Sequence, residues 1–68
     1  MMYRLYWRVA AGDPWEVEDI VRGWDLYHRV QSLKSCAAEY AIASWSHLEP
    51  SAEQPPPDCD IVKCSKKR

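Results

Sequence analysis

Cysteine and histidine are the residues of this chain with the most specific chemistry, because both can bind metals or carry nucleophilic catalysis. Cys59 and Cys64 lie in the run CDIVKC, and together with Cys36 and His47 they would make a Cys3His set of the kind that binds zinc. The four-residue gap is at the outer edge of the usual ligand spacing, and no compact second pair lies upstream. We therefore expect no metal and no other cofactor, while a disulfide between the two later cysteines stays open.

Nucleophilic catalysis needs a cysteine or serine with a base within hydrogen-bond reach. On the helix predicted below, Cys36 lies two turns from His28 and is rotated away from it, so the two side chains cannot meet. The sequence also contains no glycine-rich phosphate loop, no HExxH motif and no pair of acids with a reason to be held together. These observations predict a protein that is not an enzyme.

Size and composition indicate one small domain. A chain of 68 residues buries only about 60% of the surface that its unfolded form exposes, so its core must be compact. Four tryptophans and four tyrosines supply large apolar areas for that core. Three cysteines cannot all pair within one chain, which favours a reducing, cytoplasmic setting, and no apolar run is long enough to cross a membrane.

Residues 3–21 are predicted to form a β-hairpin. Apolar and polar side chains alternate strictly over residues 3–9, and residues 10–14 are typical of a turn, with Gly12 free to take a positive φ. The rival interpretation is a helix that starts at Asp13, since an acid, a proline and a second acid three residues later resemble a helix start. The hairpin explains more of the residues and is preferred.

The register of this hairpin follows from matching side chains across the strands. Placing Val9 opposite Trp15 brings apolar residues together on one face. The other face then pairs Arg8 with Glu16 and Tyr6 with Glu18. This register leaves Asp19 opposite Leu5, a mismatch that predicts a bulge or the end of the inward face.

The period changes after Gly23. Apolar residues at helical spacing predict a helix over residues 26–36 with Asp25 as its N-cap, packed on the face of the hairpin that carries Leu5, Trp7 and Val17. Residues 37–49 fit a third strand or a second helix. The expected fold class is α+β, a small single-layer antiparallel sheet with one packed helix in ββαβ order; the alternative is one strand plus two helices.

Residues 1–49 are predicted to form the compact α+β body, and residues 50–68 a proline-rich spacer and a basic flexible tail without fixed tertiary contacts. Residues 1–57 carry five basic and eight acidic side chains, a net charge of −3, whereas residues 58–68 carry four basic and two acidic ones, a net charge of +2. Body and tail therefore have opposite signs.

More aromatic side chains are present than one sheet face and one helix stripe can cover, so some must be exposed. Tyrosine and tryptophan are typical anchors of protein interfaces, and nearby acids would attract a basic partner surface. The predicted partner-binding residues are Trp15, Glu16, Glu18, Asp19 and Trp24. A symmetric homodimer that buries these rings is the alternative occupant of the surface.

These features predict a small non-catalytic protein-binding module that acts by occupying the surface of a partner protein. In size and composition the chain resembles small inhibitors encoded by phages and mobile elements, including anti-CRISPR proteins that block nucleic-acid sites on their targets; no sequence motif carries this resemblance. The alternative is a nucleic-acid-binding accessory protein that uses the face formed by Arg4, Tyr6 and Arg8 together with the basic tail.

Overall fold

Four antiparallel strands form one sheet with a helix packed against it, in ββαββ order. The computed structural model describes residues 2–47 and 51–64. The elements are β1 (Tyr3–Arg8), β2 (Glu16–Ile20), α1 (Gly23–Cys36), β3 (Glu39–Ser44), a single 3-10 turn (Trp45–His47) and β4 (Ile61–Lys63). The strand order across the sheet is β2-β1-β3-β4. The predicted α+β class is confirmed, with one strand more than the sequence indicated.

The hairpin is confirmed, and the rival helix at Asp13 is wrong. β1 and β2 pair antiparallel through a turn in which the backbone N–H of Asp13 donates to the carbonyl of Ala10 at 3.0 Å. Gly12 has a φ of 96°, a conformation that only glycine adopts without strain.

The register within the hairpin is shifted by one residue from the prediction. Leu5 lies opposite Glu18, and Arg4 lies opposite Asp19. Because side chains alternate across a strand, a shift of one residue moves every β2 side chain to the other face of the sheet. Glu16, Glu18 and Ile20 therefore lie on the helix side, and Val17, predicted to be under the helix, lies on the opposite face.

The helix-side core is built from β1, β3 and one stripe of α1. Leu5, Leu33 and Ala37 are fully buried and Tyr40 nearly so. The predicted stripe residues Leu26 and Val30 are partly buried and pack at the border of this core. These apolar residues recur at helical spacing, so a single face of α1 covers the sheet.

α1 begins three residues earlier than predicted. Its N-cap is Arg22, whose side chain makes no capping hydrogen bond, so the prediction of Asp25 as N-cap is wrong. Asp25 instead lies in the first turn, where its negative charge interacts favourably with the positive end of the helix dipole.

Residues 39–44 form the third strand, and the alternative of a second helix there is wrong. β3 pairs with β1 over its whole length, with Leu5 opposite Ile42 and Trp7 opposite Tyr40. This pairing makes β1 a central strand and supplies the third strand that a lone hairpin needs for stability.

The second face of the single sheet is also covered, by the segment that follows β3. Tyr6 and Ala41 are fully buried there and Ala43 nearly so, with Trp15 and Cys59 packed against them. The Tyr6 hydroxyl donates to the carbonyl of Ala52 at 3.3 Å. Residues 52–59 therefore form a third layer, opposite α1.

Residues 50–68 were expected to lack fixed tertiary contacts. In the structure, residues 51–64 make such contacts. β4 pairs antiparallel with β3, placing Val62 opposite Tyr40, and the backbone N–H of Cys64 donates to the carbonyl of Ala38 at 2.8 Å. Three prolines fit in the covering layer because it makes no strand ladder. The basic residues 65–68 lie outside the described residues, as do residues 48–50.

Of the helices among the described residues, none has both the length and the apolar character that crossing a bilayer requires.

Candidate partner-binding surface

Three arginines each lie between a carboxylate and a tryptophan ring, and these contacts decide which candidate residues remain available. Arg4 is the most buried of the three, at 6% exposure. Its Nε donates to Oδ1 of Asp19 at 2.6 Å and its Nη2 to Oδ2 at 3.1 Å, while its guanidinium carbon lies 4.5 Å from the centre of the Trp45 ring. A guanidinium satisfies both partners at once, because its edge donates hydrogen bonds while its face stacks.

Arg8 repeats the arrangement at the other end of β1. Its Nε donates to Oε2 of Glu39, and its guanidinium carbon lies 4.1 Å from the centre of the Trp15 ring. Glu39 is itself buried at 4% exposure and also lies 3.6 Å from Nζ of Lys63. Trp15 is therefore half-buried as the stacking partner of Arg8.

Arg29 makes the third arrangement on the helix side of the sheet. Its Nε bonds both carboxylate oxygens of Glu18, at 2.9 and 3.0 Å, and its guanidinium carbon lies 5.4 Å from the centre of the Trp7 ring. This contact ties α1 to the edge strand β2. It also explains how Glu18 is tolerated opposite Leu5.

The five predicted partner-binding residues thus divide into two groups. Trp15, Glu18 and Asp19 contact arginines of the same chain, although Asp19 keeps 41% of its side chain exposed. Glu16 and Trp24 are exposed and make no such contact within the described part of the chain. The structure does not bring the five together, because Glu18 and Asp19 lie on opposite faces of β2.

The largest exposed aromatic surface of the described residues lies on α1. Trp24 is 69% exposed and Tyr27 56%. Their rings are stacked with centroids 6.1 Å apart and an interplanar angle of 24°, and the ring of His28 contacts Trp24 edge-on at 4.8 Å. We refer to Trp24, Tyr27 and His28 as the aromatic patch.

Helix geometry explains why these rings cannot join the core. At 3.6 residues per turn, Leu33 lies about 180° around the helix from Trp24, so burying Leu33 points Trp24 into solvent. Tyr27 and His28 follow Trp24 by three and four residues and lie beside it on the same face. Sequence reasoning missed Tyr27 and His28 because a helix start at residue 26 left Trp24 outside the helix; the i, i+3, i+4 spacing was the available signal.

Exposed carboxylates lie beside the aromatic patch and at the distant hairpin end of the sheet. Asp25 adjoins Trp24 in the first turn of α1, and Glu16 and Asp13 lie at the hairpin end of the sheet; all three residues are exposed. Within the described part of the chain, none of the three carboxylates forms an ion pair. Their charge is therefore directed at solvent.

The face of β1 that was predicted to stack nucleic-acid bases is covered by other parts of the chain. Arg4 and Tyr6 are buried beneath residues 52–59, and Arg8 and Arg4 are paired with carboxylates. The stacking surface that Tyr6 would present is thus covered by the chain itself.

The cysteines of the chain are free thiols. The Cys59 thiol donates to the carbonyl of Ile42 at 3.1 Å, and burial, with a smaller contribution from the charges of Asp58 and Asp60, raises its pKa. A shallow pocket beside it is lined by Ser44, Asp58 and Cys59 together with apolar groups. Cys36 is exposed on α1.

No group of three or more potential metal ligands occurs among residues 2–47 and 51–64. The His47 side chain, one member of the considered Cys3His set, lies outside what the structure describes.

No family model, no curated protein and no solved structure matches this chain.

Proposed function

We propose that this protein is a non-catalytic protein-binding module that occupies the surface of a partner protein through the aromatic patch. The observation that carries the proposal is the exposed, stacked pair of Trp24 and Tyr27 on the helix face opposite the core. Exposed side chains of this size leave apolar area in water, and their burial by a partner would recover roughly 25 cal/mol per Å².

The patch has the properties of an interface anchor. Tryptophan and tyrosine are enriched among residues that dominate binding energy, and they offer large contact areas for few rotatable bonds. Contacts between Trp24, Tyr27 and His28 restrict the rings before binding, and the helix fixes their spacing. A preorganised surface of this kind loses less conformational entropy on association.

The exposed carboxylates of this protein support the proposal that the partner has a basic surface. Asp25 lies next to the aromatic patch, and Glu16 adds a further exposed carboxylate on the edge strand. Opposite charge raises the association rate and excludes acidic competitors. An inhibitor that covers a basic, nucleic-acid-binding site on its target would have this combination of acids and aromatic anchors, which keeps the phage or mobile-element inhibitor, such as an anti-CRISPR protein, as the working hypothesis.

Two features support a non-catalytic role in a reducing, cytoplasmic compartment. The half-buried Cys59 has a raised pKa, the opposite of the shift that activates a nucleophilic thiol. Cys36, Cys59 and Cys64 are all free thiols, which suits a compartment that keeps cysteines reduced.

The test compares the wild-type protein with two variants. The immobilised protein is used to capture its partner from the native cells, and the identified partner is then purified and its affinity measured by calorimetry. The double variant Trp24→Ala/Tyr27→Ala should weaken binding by at least about 30-fold, as expected when two interface anchors are lost. Val62→Ala, which truncates an exposed apolar side chain on β4, should bind as wild type.

Two results would overturn the proposal. One is a partner that binds the double variant as tightly as the wild type. The other is sedimentation of the wild type as a dimer that the double variant converts to a monomer, which would make the patch a contact between two copies of this chain.

A further inference from the structure

Three of the four tryptophans share one arrangement, and the fourth has only part of it. The rings of Trp7, Trp15 and Trp45 each have an arginine guanidinium over them, with distances of 5.4, 4.1 and 4.5 Å to the ring centre. Each of those arginines also bonds a carboxylate. The repeated unit is an indole, a guanidinium and a carboxylate.

Trp24 has the indole and a neighbouring carboxylate but lacks the guanidinium. Within the described part of the chain, no arginine stacks on Trp24, and Asp25 has no ion-pair partner. Arg22 lies two residues away and is exposed, yet it neither stacks on Trp24 nor pairs with Asp25. The exposed indole and the exposed carboxylate belong to consecutive residues at the start of α1.

We propose that Trp24 receives an arginine side chain of the partner protein, with the guanidinium stacked on the indole and hydrogen-bonded to Asp25. This inference rests on the proposed function and specifies the chemistry of the partner at the aromatic patch. The occupant is an arginine on a basic protein surface.

Arginine fits this place better than lysine. The guanidinium is planar and weakly hydrated, so it can stack on a ring and donate in-plane hydrogen bonds to a carboxylate together. An ammonium group is compact and strongly hydrated, and it has no flat face to stack. Tyr27 and His28 contact Trp24 and restrict its ring.

The inference is tested by NMR titration of the 15N-labelled protein with two blocked tetrapeptides, Gly-Arg-Arg-Gly and Gly-Lys-Lys-Gly. The indole N–H resonance of Trp24 should shift and saturate with the arginine peptide at a several-fold lower concentration than with the lysine peptide. The indole resonances of Trp7, Trp15 and Trp45 should stay in place, because those rings already carry arginines. Asp25→Asn should weaken binding of the arginine peptide several-fold, whereas Glu53→Gln, which removes an exposed carboxylate outside the proposed surface, should leave the affinity unchanged.

The outcomes separate this inference from the proposed function. An unshifted Trp24 resonance, equal response to both peptides, or equal shifts at Trp15 would overturn the arginine site, even where Trp24→Ala/Tyr27→Ala still abolishes partner binding. Conversely, an arginine-selective shift at Trp24 would sustain the site even where the purified partner ignores that double variant. Retention of the remaining amide resonances in each variant confirms that the fold is intact.

Discussion

Arg4 and Asp19 are directly opposite each other on β1 and β2 and form a two-point ion pair with distances of 2.6 and 3.1 Å. The pair lies on the sheet face covered by residues 52–59, where Arg4 also donates to the carbonyl of Ala52 at 3.2 Å. The hydrogen bonds from Arg4 lower the pKa of Asp19, against the opposing effect of its partial burial. Arg4 thus links the two strands of the hairpin through Asp19 and joins them to the third layer through Ala52.

Replacing Asp19 with asparagine should destabilise the protein by about 1–3 kcal/mol, because a buried arginine would lose its counter-charge. The free energy of unfolding is measured by urea denaturation. Glu16→Gln on the same strand removes an exposed carboxylate and should change that free energy by less than about 0.5 kcal/mol. Equal stability of both variants would show that the ion pair contributes nothing.

The same pair predicts how stability depends on pH. Asp19 has a pKa below its ordinary value of 3.8 in the folded state, so its contribution is complete above that value and is lost as the pH falls through the folded-state pKa. Urea midpoints at about pH 7 and about pH 3 should differ more for the wild type than for Asp19→Asn. The same loss of stability in both proteins would place the acid sensitivity elsewhere.

Cysteine alkylation should follow burial. Cys36 is exposed and should react with iodoacetamide first, whereas Cys59 should react more slowly, because its pKa is raised and its thiol donates to the carbonyl of Ile42. Mass spectrometry of digested samples at successive times gives both rates. Denatured protein, in which the rates should converge, is the control, and faster modification of Cys59 in the native state would contradict the predicted order.

Trp7 and Trp24 should differ sharply in their effect on stability. Trp24→Ala should cost less than about 0.5 kcal/mol, since the ring is 69% exposed and points away from the core. Trp7→Ala should cost about 2–4 kcal/mol, because that half-buried ring packs on the core and under Arg29. Thermal unfolding measures both. A large loss on Trp24→Ala would mean that this ring supports the fold, contrary to its proposed use as a binding anchor.

The fold class could be predicted because residues 3–9 alternate and residues 26–37 follow a helical period, both of which are local patterns. The register could not. Within the hairpin alone, Arg8 looks like the partner of Glu16, whereas in the structure Arg8 pairs with Glu39 of β3 and Glu18 is neutralised by Arg29 of α1. Charged residues of β3 and α1 pair with those of the hairpin, and this permits a register that matching within the hairpin alone does not favour.

β4 was missed for a related reason. Three residues are too few to show a period, and the prolines before them resembled a spacer. Its place in the sheet follows from the free edge of β3, which no local pattern reveals. The candidate site was predicted in part: Trp24 was identified from its residue type, while its neighbours Tyr27 and His28 became evident only once the helix was seen to begin at Gly23.

β2 forms one outer edge of the sheet and carries three carboxylates in five residues, Glu16, Glu18 and Asp19. An open edge is a template on which further strands can add, and repeated like charges oppose the approach of an identical edge. Two copies aligned along β2 would bring these acids face to face. Asp19 and Glu18 already pair with Arg4 and Arg29 of the same chain, so within the described residues Glu16 carries the unpaired charge of this edge, and that charge opposes the alignment of a second copy along β2.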